Sequence, residues 1–138
     1  MKIVSIIIPH YNGKELLHNC INSIYQNISI ENFEIIVVDN GSKDESVKNI
    51  RQLFSDVIII SNKENVGYSG GCNIGAKNAE GKYLIFLNND TEHSKDWIEK
   101  LVSFLDSNPD TFAAQPKILN IKNKEYFDYA GGAGGFID

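Results

Sequence analysis

Residues 3–12 read Ile3-Val4-Ser5-Ile6-Ile7-Ile8-Pro9-His10-Tyr11-Asn12. Through Ile8 the run is apolar and β-branched, save for Ser5. A strand with one face in water alternates apolar and polar side chains, whereas a strand covered on both faces reads as an unbroken apolar run. Ile3–Ile8 is of the second kind. It predicts a strand inside a parallel sheet, between layers of helix.

The rest of the chain supplies those layers. Asn12 and Glu15 form an N-cap with an acidic residue at N3, and Leu16, Leu17, Cys20, Ile21, Ile24 and Tyr25 follow at helical spacing. Phe33–Val38 is a second strand. Ser42-Lys43-Asp44-Glu45 has the capping-box pattern, ahead of a helix face of Val47, Ile50, Leu53 and Phe54. Val57–Ile60 is a third strand. A Gly-rich segment from Asn65 runs into a short helix, with Gly81 placed to cap its C-terminus. Tyr83–Leu87 is a fourth strand, expected to be buried. Ser94 is placed to cap a helix carrying Trp97, Ile98, Leu101, Val102 and Leu105, which Asn108-Pro109 ends. Phe112–Gln115 and Ile118–Ile121 are weaker strand candidates. This strand–helix alternation predicts an α/β fold with a mostly parallel sheet.

Composition narrows the function. The chain has 138 residues, 42% apolar and 22% charged, which suits one folded domain. A net charge of −5 argues against a broad nucleic-acid surface. Cys20 and Cys72 are too few for a disulfide framework and read as buried thiols. No run reaches the roughly 18 apolar residues of a spanning helix, and the N-terminus lacks the layout of a signal peptide.

Polar residues collect after the strands. Pro9, Tyr11 and Asn12 follow the first; Asp39, Asn40 and Ser42 the second; Asn65 and Gly67 the third; Asn88, Asn89 and Asp90 the fourth. Singly, each group reads as turn chemistry, since Asn, Asp and Gly tolerate left-handed backbone. Together they occupy the edge where open α/β sheets bind ligands. The glycines Gly67, Gly70, Gly71 and Gly75 follow the third strand, not the first, so they are no dinucleotide fingerprint, and no P-loop pattern is present. Pro9-His10-Tyr11 stands where a receiver domain or an aspartate-nucleophile phosphatase carries acidic residues. No nucleophile elbow occurs. His10, His18 and His93 lack metal-ligand spacing. What remains is a ligand with a ring, hydroxyls and phosphates. Asp39 can accept from ribose hydroxyls or a base N–H, Tyr11 can form an aromatic wall, and Asp90 can hold a divalent cation. Mg2+ typically takes about one or two carboxylates and completes its shell with phosphates and water.

The segments VSIIIPHYN (4–12), IIVVDNGSKDES (35–46), NVGYSGGCNIGAKNAEG (65–81) and YLIFLNNDT (83–91) stand in that order. In combination the chain resembles the N-terminal half of glycosyltransferase family 2, over about residues 2–116, and is most similar to its rhamnosyltransferase-like branch. The resemblance implies a GT-A fold: a Rossmann-like three-layer sandwich with a mostly parallel central sheet. It implies a nucleotide-sugar-binding core in residues 1–116 and the start of an acceptor-binding region in 117–138, cut short at Asp138. Pro9, Tyr11, Asn12 and Asp39 match positions that hold the nucleotide base and ribose. Asn65 and Gly67 match an N-x-G turn near the donor. Asn88-Asn89-Asp90 matches the D-x-D-type motif, with Asn88 and Asn89 donating to the donor and Asp90 meeting a metal, Mg2+ or Mn2+. Asn88 replaces the first acidic residue of that motif, which leaves a single strong ligand.

The implied reaction is inverting. A sugar passes from a UDP- or dTDP-type nucleoside-diphosphate sugar to a hydroxyl of a glycan or lipid-linked acceptor. The implied setting is polysaccharide biosynthesis in the cytoplasm, with peripheral association at the inner face of the membrane through regions beyond Asp138. The family's general base is an acidic residue farther downstream. Nothing in the spacing of Asp128 or Asp138 nominates either, so the base is expected beyond the chain's end. A nucleotide-sugar-binding fragment without activity of its own is the alternative. A sugar-nucleotide pyrophosphorylase would want a Gly-rich basic loop after the first strand, and Pro9–Lys14 does not supply it.

Overall fold

The structure, a computed structural model, describes residues 2–129. Most of the Gly-rich C-terminal stretch lies outside that range. The chain divides into two compact units, Met1–Lys95 and Asp96–Asp138.

The first unit is built on a parallel sheet of β1 (Val4–His10), β2 (Phe33–Asp39), β3 (Ile58–Ser61) and β4 (Tyr83–Phe86), in the order β3-β2-β1-β4. Every residue of β1 is buried, as its unbroken apolar run predicts. The strand runs two residues past Ile8 and takes in Pro9 and His10. Its one internal polar residue, Ser5, is matched by a buried partner. Ser5 Oγ donates to Glu34 Oε1, which also accepts the Glu80 N–H at 2.8 Å. Ser5 Oγ in turn accepts the Gly81 N–H at 2.8 Å. The chain entering β4 is thereby bound to β1 and β2.

The helices of this unit are α1 (Lys14–Asn27), α2 (Ser46–Leu53) and α3 (Gly67–Asn78). The chain steps outward from β1 to β2 to β3, then returns past β1 to β4. Right-handed crossovers put α1 and α2 on one face of such a sheet and α3 on the other. Between α1 and the end of α2, Tyr25 stacks on Phe54 with ring centroids 5.6 Å apart. On the other face, Ile74 and Ala76 of α3 pack against Ile7, Ile36 and Val38.

The Gly-rich segment departs from expectation. It is α3 itself rather than a loop leading into a helix. A Cβ added at Gly75 would stand 2.3 Å from Ile7 Cγ2, and one at Gly71 would stand 2.9 Å from Pro9 Cβ. Glycine costs about 1 kcal/mol of helix propensity per residue. Here it permits a helix-to-strand approach that any side chain would block. Gly81 does not cap α3, which ends at Asn78 with Ala79 as its C-cap. Gly81 lies against β1, where a Cβ would be 2.5 Å from Ser5 N.

Both N-caps expected in this unit are also replaced. α1 starts at Lys14 behind two left-handed residues, Asn12 (φ 55°) and Gly13 (φ 95°). The Asn12 side chain turns outward and its Oδ1 accepts the Lys43 N–H at 2.8 Å. The N–H groups of Gly13 and Lys14 donate instead to Asp44 Oδ2, at 2.7 and 3.2 Å. α2 starts at Ser46, so Ser42 is no cap; its Oγ accepts the Asn12 N–H at 2.9 Å. Asp44 Oδ1 accepts the Ser46 N–H at 3.1 Å. One carboxylate thus serves two helix N-termini, where unsatisfied N–H groups and the helix dipole favour negative charge.

β4 was expected to be buried, but it forms an edge of the sheet, and Leu84 and Phe86 are 41% and 47% exposed. In the second unit, α4 (Trp97–Ser107) has Asp96 (φ 58°) at its N-cap rather than Ser94, and Asn108 at its C-cap as expected. β5 (Ile118–Leu119) and β6 (Phe127–Tyr129) pair antiparallel. Phe112–Gln115 is not a strand.

Candidate functional site

The carboxyl ends of β1, β2 and β4 meet at one edge because their registers align. His10 is paired with Asp39 at the ends of β1 and β2. On the other side Ile7 is paired with Phe86, and the Leu87 N–H reaches Ile7 O at 2.9 Å. The residues after Leu87 are therefore delivered beside the end of β1.

A cleft of about 250 Å³ opens at this edge. Pro9, His10 and Tyr11 line it from the end of β1 and just beyond, Asn40 from just after β2, and Asn65, Gly67 and Tyr68 from the turn into α3. Four sequence candidates, Pro9, Tyr11, Asn65 and Gly67, thus share one wall-to-wall space. Gly67 has φ 75°, a left-handed backbone that glycine adopts without strain. Asn65 Oδ1 accepts the Gly67 N–H at 2.9 Å, which closes the turn ahead of α3.

The other candidates lie around the cleft rather than on its wall. Asp39 is nearly buried, and its Oδ1 accepts the Ser42 N–H at 2.8 Å. Asn12 is engaged with Ser42 and Lys43, as described above. Asn88 and Asp90 are exposed, and Asn89 is half-buried. The loop they form is held from below by Cys20, whose Sγ donates to Asn88 O at 3.6 Å, and by Thr91, whose Oγ1 donates to the same oxygen at 2.9 Å. Burial pushes the Cys20 thiol up to about 11, so it serves as packing rather than as a nucleophile. Cys20 is buried as expected; Cys72 is only partly so.

Asn89 is the link between this loop and the cleft. Its Nδ2 stands 2.8 Å from His10 Nδ1. His10 is buried, and its Nε2 is 2.9 Å from Ser46 Oγ. Burial lowers the imidazole below its ordinary value, although Asp44 and Asp39 act to raise it, so the neutral ring is favoured.

Tyr68 escaped the sequence reading, and Asn40, counted there among the polar residues at the strand ends, was given no role of its own. Asn40 is buried; its Nδ2 donates to Gly67 O at 3.2 Å and its Oδ1 accepts from Asn62 Nδ2 at 3.0 Å. It ties the β2 end to the turn before α3. Tyr68 is half exposed on the cleft, and burial pushes its phenol up to about 12, so it stays protonated at neutral pH. Its one signal in sequence is an aromatic residue directly after the N-x-G turn.

Among the described residues no group of three or more His, Cys, Asp or Glu side chains is placed to hold a metal ion. The donor set on the fourth-strand loop is Asp90 flanked by the amides Asn88 and Asn89. That set is oxygen-rich and hard. It suits Mg2+ or Mn2+ completed by phosphate and water, and it does not suit structural zinc. Among the described residues no helix is long and apolar enough to cross a membrane.

A parallel sheet whose strand order reverses beside β1, with its cleft outside the strand ends, defines a Rossmann-like nucleotide-binding architecture. The chain belongs to glycosyl transferase family 2, whose model matches residues 5–130. It is 37% identical over 122 residues to an uncharacterized glycosyltransferase of Haemophilus influenzae, covering 86% of this chain and 37% of that protein. It is 41% identical over 98 residues to the uncharacterized glycosyltransferase YfnE of Bacillus subtilis, covering 70% of this chain and 25% of YfnE. The chain therefore spans well under half the length of these relatives. Its fold is the GT-A fold of S. aureus TarS 1-349. The TM-score is 0.71 at 25% identity, over 79% of this chain and 33% of that one. TarS 1-349 is also known in complex with UDP, with a TM-score of 0.71, and with UDP-GlcNAc, with a TM-score of 0.70.

Proposed function

We propose that this chain is the donor-binding part of an enzyme that transfers a sugar from a UDP-type nucleotide sugar to a hydroxyl acceptor. Residues 1–116 hold the donor in this reading, and 117–138 begin the acceptor-binding region. The observation that carries it is the cleft between Tyr11 and Tyr68 at the sheet's ligand edge, connected by His10 to the Asn88–Asp90 loop. An aromatic-walled cleft fits a nucleobase. Asp39, beside the cleft at the end of β2, carries a carboxylate that can accept from ribose hydroxyls or a base N–H. Asn65 and Gly67 shape the wall near the phosphates.

Asp90 would hold Mg2+ or Mn2+ in this reading. The cation's chemistry there is to neutralise the diphosphate so that it leaves more readily. The chain's own residues bind and orient: the two tyrosines and Asp39 hold the nucleoside, and Asn88 and Asn89 meet the donor beyond it. Inversion at the sugar requires a base to take the acceptor's proton, a role worth typically ~10²–10⁴-fold. No described residue is assigned to it. The acceptor is proposed to be a glycan or a lipid-linked hydroxyl, in a cytoplasmic pathway of polysaccharide assembly.

Titration calorimetry with UDP, with and without Mn2+, tests the reading. Binding of UDP that Mn2+ strengthens is expected. No UDP binding at millimolar nucleotide would overturn it.

A further inference from the structure

The bond between His10 and Asn89 belongs to a longer chain whose proton directions are all set by one carboxylate. Asp44 Oδ1 accepts the Ser46 hydroxyl proton and the Ser46 N–H, while Asp44 Oδ2 accepts from Gly13 and Lys14. Partial burial raises the Asp44 carboxyl, but the hydrogen bonds from Ser46 and Gly13 outweigh that and hold it below its ordinary value. An ionised carboxylate can only accept. The single hydroxyl proton of Ser46 is therefore committed to Asp44, and Ser46 Oγ must accept from its other neighbour, His10 Nε2, at 2.9 Å. A neutral imidazole carries one N–H. With that proton on Nε2, Nδ1 is bare and must accept. Its partner, 2.8 Å away, is the amide nitrogen of Asn89.

We propose that His10 is a positioning residue that orients the side-chain amide of Asn89, so that the carbonyl oxygen rather than the amide nitrogen is turned away from the imidazole for ligand binding. The proposal rests on reading the Asn88–Asp90 loop as part of the donor site. A primary amide has nearly the same shape after a half-turn about its last bond, so packing alone selects its orientation poorly. The bare Nδ1 selects it, because the opposite orientation would set two acceptors face to face. Oδ1 of Asn89 then favours a hydrogen-bond donor, such as a hydroxyl of the nucleotide sugar, over a phosphate oxygen. This revises the sequence expectation for Asn89, which had it donating to the donor. The orientation is inherited from Asp44, on the loop before α2, by way of β1. Two loops far apart in sequence thereby agree on one arrangement.

The test separates the two ring nitrogens. His10→Asn keeps an acceptor near the place of Nδ1 and loses the reach to Ser46. His10→Gln keeps a polar group near the place of Nε2 and loses the acceptor facing Asn89. UDP affinity in the presence of Mn2+ should fall about three- to tenfold in His10→Gln, the worth of one neutral hydrogen bond. His10→Asn, which keeps the acceptor facing Asn89, should lose less affinity than His10→Gln. Equal affinities for the two variants, in proteins that melt cooperatively, would overturn the positioning role. Nitrogen-detected imidazole spectra supply a second reading that needs no substitution at His10. Wild type at pH 7.5 should show the Nε2–H tautomer with Nδ1 unprotonated, and Ser46→Ala should weaken that preference. An Nδ1–H tautomer in wild type overturns the relay whatever the ligand. Absence of UDP binding by wild type would instead overturn the donor-site reading, with the spectra still deciding the relay.

Discussion

Gly75 lies so close to Ile7 that a single added methyl group would come within 2.3 Å of its Cγ2. α3 can descend onto β1 only because the facing residue has no side chain. One turn earlier Gly71 faces Pro9 in the same way, with an added Cβ 2.9 Å from Pro9 Cβ.

Gly75→Ala should therefore destabilise the protein by ~1–3 kcal/mol, the cost of overpacking a core. On helix propensity alone the same change should stabilise by about 1 kcal/mol. Gly70 is the control, since a Cβ there meets only the side chain of Val66, which is itself exposed and can move. Urea unfolding of both variants checks the sign. A Gly75→Ala protein as stable as wild type would show that α3 is free to lift off the sheet.

Asp44 receives the N–H groups at the start of both α1 and α2. Asp44→Ala should cost about 2 kcal/mol, two caps at roughly 1 kcal/mol each. Asn is also a good cap, so Asp44→Asn should retain most of the stability. Chemical denaturation of the two variants distinguishes a cap from a residue that matters only through its charge.

Tyr68 and Tyr11 line the same cleft. Replacing either by Ala should weaken UDP binding by ~1–3 kcal/mol, the usual worth of base–aromatic stacking. Phe at either position should preserve it. Calorimetry with uridine alone would localise the loss to the nucleoside. Full affinity in Tyr68→Ala would remove that residue from the base-binding wall.

Asp90 is the one carboxylate of the Asn88–Asp90 turn. With a single protein carboxylate, a divalent cation should bind well only when a diphosphate completes its shell. UDP and Mn2+ should then strengthen each other by the same factor. Asp90→Asn should abolish that coupling and leave uridine binding intact. As a turn residue Asn serves as well as Asp, so equal Mn2+ dependence in both proteins would leave Asp90 a turn former only.

Burial pushes the His93 imidazole down to about 4, from an ordinary 6.5. Its folded value lies below its unfolded one, so the unfolded chain binds more protons between the two. The stability this neutral ring permits is fully present above about 6.5 and is lost as pH falls toward 4. His10, also lowered by burial, acts in the same direction. Melting temperature should fall across that window, and less steeply in His93→Gln. Identical slopes in the two proteins would mean that His93 is already accessible to water in the folded state.

Much of this architecture is determined within short stretches of sequence. The unbroken Ile3–Ile8 run specifies a strand covered on both faces, and the 3.6-residue recurrence of Leu17, Cys20, Ile21 and Ile24 specifies the buried face of α1. Both patterns are local, because strand and helix periods repeat every few residues. The alternation of those elements also places Pro9, Tyr11, Asn65 and Gly67 at one sheet edge, since parallel strands all end on the same side. Tertiary structure alone decided the rest. The α1 cap went to Asp44, about 30 residues farther along the chain, instead of to Asn12, and the same carboxylate replaced its near neighbour Ser42 at the start of α2. The Gly-rich segment became a helix because its cost in propensity is offset by contact with Ile7 and Pro9, and no local pattern records that contact. β4 became an edge because strand order depends on how the crossovers pack, not on how apolar a strand is. Asn89 meets His10, 79 residues earlier in the chain, because β1 and β4 pair in a register set by hydrogen bonds between strands. Such pairings depend on which distant surfaces fit together, and a one-dimensional pattern carries no term for that.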